Sequence, residues 1–187
     1  FWKKERPEEA IIQFLKAIEL KPAFAEAYCN LGAALMEKEQ LGEAITHFLK
    51  AIELNPAFPK AYCNLGIALQ GKGLLDKSIT HYQKAIELNP SFAEAYCNLG
   101  NALKEKGQID EAICCYKRAI ELNPDYETPN FNMSLTLLLT GNFKEGWRKY
   151  EWRWKERDFL KRSGAHHTRS FSQPFWDGSS IKEKSLL

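Results

Sequence analysis

The feature that most constrains this chain is a period of 34 residues. Ala-Tyr-Cys-Asn-Leu-Gly stands at Ala27–Gly32, Ala61–Gly66 and Ala95–Gly100. Ala-Ile-Glu-Leu, then Lys or Asn, then Pro, stands at Ala17–Pro22, Ala51–Pro56, Ala85–Pro90 and Ala119–Pro124. A fixed period of this length marks a stack of like units, none of which buries its apolar face alone. Read from Ala93 to Pro124, the unit is two short amphipathic helices with a turn at Gly107. Tyr96, Leu99 and Gly100 mark the first helix; Ala112, Tyr116 and Ala119 mark the second, and Pro124 follows its end.

These residues at this spacing resemble the tetratricopeptide repeat (TPR). The resemblance implies an all-α fold, a right-handed α-solenoid of antiparallel helix pairs. The period divides the chain into a partial repeat over 1–24, full repeats over 25–58, 59–92 and 93–126, a degenerate capping unit over 127–160, and an irregular tail over 161–187. Residues Phe1–Lys4 align with Leu103–Lys106, so 1–24 reads as the back half of a unit whose first helix precedes Phe1. Its second helix is expected from Pro7 to Leu20, with Ala10, Phe14, Ala17 and Ile18 on the apolar face.

Within each full repeat the first helix is expected to close at Glu39, Gly73 or Gly107, where a left-handed residue fits. The second is expected to stop before Asn-Pro, because proline steers the preceding residue out of the α region. Gly32, Gly66 and Gly100, facing Ala44, Ser78 and Ala112, would let the paired helices approach closely. Tyr28, Tyr62 and Tyr96, with Phe48, Tyr82 and Tyr116, would fill the space between them. The last unit departs from the pattern: Asn130 replaces the tyrosine, Ser134 the glycine, and Gly146 the alanine. Its second helix, expected over about 143–157, carries Trp147, Tyr150, Trp152 and Trp154.

The totals narrow the class. A net charge of +2 gives no overall nucleic-acid signature. No apolar run approaches the roughly 18–20 residues that span a bilayer, and there is no secretory signal pattern. Cys29, Cys63 and Cys97 are one position used three times. Stacked helices lie about 8–10 Å apart, beyond disulfide reach, so all five cysteines read as reduced and the location as cytoplasmic. His47, His81 and Cys115 share a position in successive units but form no local ligand cluster, so no metal is expected. Residues 144–169 hold nine Lys/Arg against four Asp/Glu, which reads as a solvated face, and His166-His167 as a loop pair. No nucleophile–base set, phosphate loop or carboxylate pair is present, so the chain is expected to be neither an enzyme nor a cofactor binder.

The candidate site is the inner wall made by the first helices. Positions 2, 5, 6, 9, 12 and 13 of each first helix lie roughly along one side. Position 6 gives a column of Asn30, Asn64, Asn98 and Asn132. An asparagine amide carries donors and an acceptor, so it can pair with an extended peptide backbone without reading side chains; a bond to a neighbouring helix is the structural alternative. Glu26, Lys60, Glu94, Asn101 and Lys104 vary the wall. Lysines do not recur at inner positions, which argues against a reader of chain-terminal carboxylates. In the last unit Leu135, Leu138 and Leu139 make the wall apolar, and the tail aromatics Phe171, Phe175 and Trp176 are expected to fold back onto it.

The repeats over 1–126 closely resemble those of the O-linked N-acetylglucosamine transferase family, in which the matching asparagine column contacts substrate peptides. Residues 141–154 (Gly-Asn-Phe-Lys-Glu-Gly-Trp-Arg-Lys-Tyr-Glu-Trp-Arg-Trp) and 173–178 (Gln-Pro-Phe-Trp-Asp-Gly) resemble the junction of bacterial proteins that join such repeats to a heptosyltransferase-like domain. The resemblance implies a scaffold that holds a protein or peptide partner as the substrate-recruiting region of a larger glycosyltransferase. The alternative is a stand-alone adaptor, or a scaffold that self-assembles through its repeat ends into a homo-oligomer.

Overall fold

The computed structural model describes residues 7–150, and everything described is helical or in tight turns. In chain order the helices are α1 (Pro7–Leu20), α2 (Ala25–Glu37), α3 (Leu41–Leu54), α4 (Pro59–Gly71), α5 (Leu75–Leu88), α6 (Ala93–Glu105), α7 (Ile109–Leu122), α8 (Glu127–Leu139) and α9 (Phe143–Tyr150). The expected tail and the end of the last helix, with Trp152 and Trp154, lie outside the described residues.

Local chemistry sets the ends. Glu39, Gly73, Gly107 and Gly141 take φ of 61°, 74°, 82° and 80°, and each closes a first helix in the left-handed region. Glycine adopts that conformation freely, whereas Glu39 does so at a cost of roughly 1 kcal/mol. The second helices stop at Asn55, Asn89 and Asn123, all extended, each ahead of a proline. The side-chain Oδ1 of Asn55 then accepts from the backbone N–H of Ala57, and the side-chain Oδ1 of Asn89 from that of Ser91, which turns the chain into the next unit. No side chain caps the start of α2, α4, α6 or α8; Phe24, Phe58, Phe92 and Tyr126 stand there instead. Phe58 and Phe92 pack into the core, so apolar docking rather than capping fixes those entries.

Each helix packs on its chain neighbours. The first helices α2, α4, α6 and α8 also pack on one another in series, while the second helices α3, α5 and α7 make no mutual contact. A stack that touches along one layer and splays along the other curves, so the first helices form the inner wall.

The core repeats with the sequence. Phe48, Tyr82 and Tyr116 are fully buried. Each presses on the glycine of its partner helix: a Cβ on Gly32 would stand 2.7 Å from the Phe48 ring, one on Gly66 2.5 Å from Tyr82, one on Gly100 2.6 Å from Tyr116. The last unit exchanges the roles. Ser134 is buried on α8 and donates to the Phe131 carbonyl. The glycine is now Gly146 on α9, and Leu138 of α8 fills the space a Cβ there would take, at 2.8 Å. Tyr150, at the register of Tyr116, stacks on Phe131 with centroids 5.7 Å apart.

Candidate binding wall

The inner wall is built by one turn of each first helix. The expectation for position 5 needs revision. Cys29, Cys63 and Cys97 are buried beneath the wall rather than lining it. Position 6, one residue later, is half-buried at Asn30, Asn64, Asn98 and Asn132. The helical rotation of about 100° per residue accounts for the change.

The two positions are bonded across the repeat boundary. Asn64 Nδ2 donates to Cys29 Sγ at 3.6 Å, and Asn98 Nδ2 to Cys63 Sγ at 3.5 Å. Sulfur is a weak acceptor, so each asparagine gives up one N–H in a soft bond and keeps its carbonyl for the wall. The thiols stay protonated: burial pushes Cys63 up to about 12 and Cys97 to about 11, and it raises Cys29. The hydrogen bonds from Asn98 to Cys63, from Tyr126 to Cys97 and from Asn64 to Cys29 oppose that rise without cancelling it.

The last asparagine is committed differently. Asn132 Nδ2 donates to Asn101 Oδ1 at 2.8 Å, and the Tyr116 hydroxyl donates to the same oxygen at 2.9 Å. Asn101 is thus the acceptor hub between the third and last units. In the second unit, Gln70 holds the analogous place: the Tyr82 hydroxyl donates to Gln70 Oε1 at 2.9 Å, and Gln70 Nε2 donates to Glu105 Oε1 at 2.6 Å. Sequence reasoning placed Asn101 on the wall but missed this pairing. The available signal was the co-occurrence of tyrosine at 82 and 116 with Gln70 and Asn101, against Phe48 in the first unit.

Glu26, Lys60 and Glu94 are exposed at the mouth of the wall and alternate in sign along it. Lys104 is half-buried. Leu135 is half-buried, Leu139 is 79% exposed, and Leu138 packs toward α9 rather than standing clear on the wall. The tail residues expected to meet them, Phe171, Phe175 and Trp176, lie outside the described residues. Tyr28 stacks on His47, and Tyr62 lies tilted against His81, with centroids 6.1 Å apart in both pairs. Among the described residues no group of His, Cys, Asp or Glu is arranged to hold a metal, and no helix is long and apolar enough to cross a membrane.

A family model of the TPR repeat matches residues 1–39, 34–73 and 71–107, and a tetratricopeptide repeat model matches 93–126. No curated protein matches the sequence significantly. Several solved structures share the architecture. MamA from Desulfovibrio magneticus RS-1 superposes with a TM-score of 0.71 at 20% identity, over 86% of this chain and 89% of that one. YrrB, described as a TPR protein with an unusual peptide-binding site, gives 0.64 at 24% identity, over 84% and 83%. PilF from Pseudomonas aeruginosa gives 0.74 at 18% identity, over 80% and 68%. At these identities the likeness is one of fold.

Proposed function

Because the chain belongs to the tetratricopeptide repeat family, we propose that it is a scaffold whose inner wall binds an extended peptide or an unfolded stretch of a protein. The supporting observation is the asparagine column. Asn30, Asn64 and Asn98 recur at one register on α2, α4 and α6, half-exposed, and Asn64 and Asn98 spend only a soft N–H···S bond on the fold. A peptide backbone laid along the wall meets an amide from each unit. Glu26, Lys60 and Glu94, exposed beside the column, add a charge pattern that selects among sequences. Asn132 and Asn101 hold each other, so they frame the wall, and Lys104 completes its polar lining.

The test is capture of peptides from a random-sequence array by the chain and by an Asn30→Ala/Asn64→Ala/Asn98→Ala variant. At about 1 kcal/mol net for each hydrogen bond, loss of three predicts roughly 100-fold weaker capture with helicity unchanged. Equal capture would move the site off this wall.

The larger setting has two readings. That the solenoid recruits substrates for a glycosyltransferase is supported by the junction-like residues 141–154 and 173–178 alone. A stand-alone adaptor accords equally with the fold. A gene that continues past Leu187 into an apolar strand and a glycine-rich loop selects the first reading; a stop codon there selects the second. Light scattering that rises with concentration would add self-assembly.

A further inference from the structure

The third unit holds donors left over from the fold's own bonds. Asn64 and Asn98 each reach back to a thiol, Cys29 and Cys63. At the next step the Tyr126 hydroxyl bonds Cys97, and Asn132 turns to Asn101. Asn132 Nδ2 and the Tyr116 hydroxyl both meet Asn101 Oδ1, at 2.8 and 2.9 Å. Two donors on that oxygen hold the amide in one orientation, and its NH2 has no partner among the described residues. Lys104 follows one turn later on the same face of α6, half-buried. Lys38, Lys50, Lys84, Lys106 and Arg118 each pair with a carboxylate, whereas Lys104 pairs with none among the described residues. The places three and four residues from it, where a helical ion pair would form, are Gly100, Asn101, Gly107 and Gln108. Neighbouring units lack this combination. The same two registers hold Ala33 and Met36 in the first unit, and Leu135 and Leu138 in the last. The second unit has Ile67 and Gln70, and Gln70 uses its oxygen on Tyr82 and an N–H on Glu105.

We propose that Asn101 and Lys104 form a carboxylate subsite on the inner wall, which takes the side chain of an Asp or Glu in the bound peptide. The proposal rests on the reading of the wall as a peptide site. A fixed amide donor with an ammonium one turn away supplies hydrogen bonds and positive charge together, which is what a carboxylate accepts. A peptide carbonyl would satisfy the amide and leave the ammonium without a counter-charge. The carboxylate is a side chain's rather than a chain end's, because the wall runs on in both directions. Asn64 and Asn98 stand before the pair, and Asn132 and Leu135 after it, all half-buried. The acidic residues of α6 leave the subsite open. Glu105 is turned to Gln70, and Glu94 lies at the opposite end of the helix, about 15 Å along its axis.

A double-mutant cycle tests it. Peptides captured from the random-sequence array should share an Asp or Glu at one position. The probes are the tightest such peptide and its isostere, with Asn or Gln in place of the acidic residue, each in free and C-terminally amidated form. On the unaltered chain the isostere should bind about tenfold more weakly, as loss of a charge-assisted bond predicts. On Lys104→Gln the two peptides should bind within about twofold of each other. Lys104→Glu should reverse the preference, so that a Lys at that position of the peptide binds better than the acid. Asn101→Asp keeps the acceptor for Tyr116 and Asn132 but replaces the free NH2 with an oxygen, and it too should remove the preference for the acid. An acid preference that survives Lys104→Gln and Asn101→Asp would overturn the proposal. Binding that is lost on amidation would also overturn it, because a chain end would then be the ligand. Capture with no shared acidic position would overturn the subsite and leave the peptide wall standing; no capture at all would overturn both. The Asn30→Ala/Asn64→Ala/Asn98→Ala variant separates the two readings, because it should weaken the acidic peptide and its isostere by the same factor.

Discussion

Alanine at Gly66 and at Gly42 should change stability in opposite directions, although both glycines lie in helices. Gly42 sits in the first turn of α3, where a new Cβ would meet only Lys72 Nζ at 3.5 Å. Alanine there removes the glycine penalty and should stabilise by about 0.5–1 kcal/mol. Gly66 offers the same gain on α4, but its new Cβ would stand 2.5 Å from Tyr82 Cε1 and 2.7 Å from Cδ1. The ring cannot swing away. It is fully buried, and its hydroxyl is held by Gln70. Overpacking of this kind costs typically 1–3 kcal/mol, so the net loss for Gly66→Ala should be about 1–2 kcal/mol after the propensity gain. Urea unfolding followed by far-ultraviolet circular dichroism measures both variants; a shared slope would make the midpoints comparable. Tyr82→Leu in the Gly66→Ala background should recover part of the loss by giving the methyl room. Gly66→Ala at or above wild-type stability would refute the claim that glycine is there to admit the ring.

Asn101→Ala removes the acceptor shared by the Tyr116 hydroxyl and Asn132, and should cost about 1–3 kcal/mol because Tyr116 is fully buried. Asn101→Asp, which keeps an acceptor, should lose less in the same unfolding assay. Burial lowers the His47 imidazole below its usual range against the opposing pull of Glu43, and burial lowers His81. A lowered histidine is neutral in the fold while the unfolded chain takes the proton. Stability should therefore be full above about pH 6.5 and decline as pH falls through the lowered values, and His47→Gln/His81→Gln should flatten that decline. Thiol titration with an aromatic disulfide at pH 8 should find Cys114, the exposed thiol, reacting at once, with Cys29, Cys63 and Cys97 reacting only as the chain unfolds.

Most of the fold was legible because a repeat states its contacts several times over. Gly32, Gly66 and Gly100 could be read three times over as points of close approach, although the nearest atoms to each are those of the Phe48, Tyr82 and Tyr116 rings and not of the expected Ala44, Ser78 and Ala112. Asn-Pro marked the ends of α3, α5 and α7 through proline's steric rule, which needs no tertiary context. Where the repetition failed, so did the reading. Gly146 was seen as a replacement, but Leu138 as its occupant was not, because that pairing occurs once and depends on how α9 lies on α8. The burial of Cys29, Cys63 and Cys97 one residue from the half-exposed asparagines turns on helix rotation, which a list of positions leaves loose by a residue. The bonds from Asn64 to Cys29 and from Asn98 to Cys63 link residues 35 apart, one more than the period. They need the superhelical offset between units, which the spacing alone does not contain.

The central claim is that the asparagine column meets a peptide backbone. Side-chain amide resonances read this directly. The chain, labelled with nitrogen-15, is titrated with the tightest peptide from the array, and the NH₂ signals of Asn30, Asn64 and Asn98 are followed. They are expected to shift together and saturate at one affinity, with Asn130, buried and bonded to the Tyr126 carbonyl, staying still. Saturable binding that shifts the second-helix backbone while those three amides stay fixed would contradict the claim.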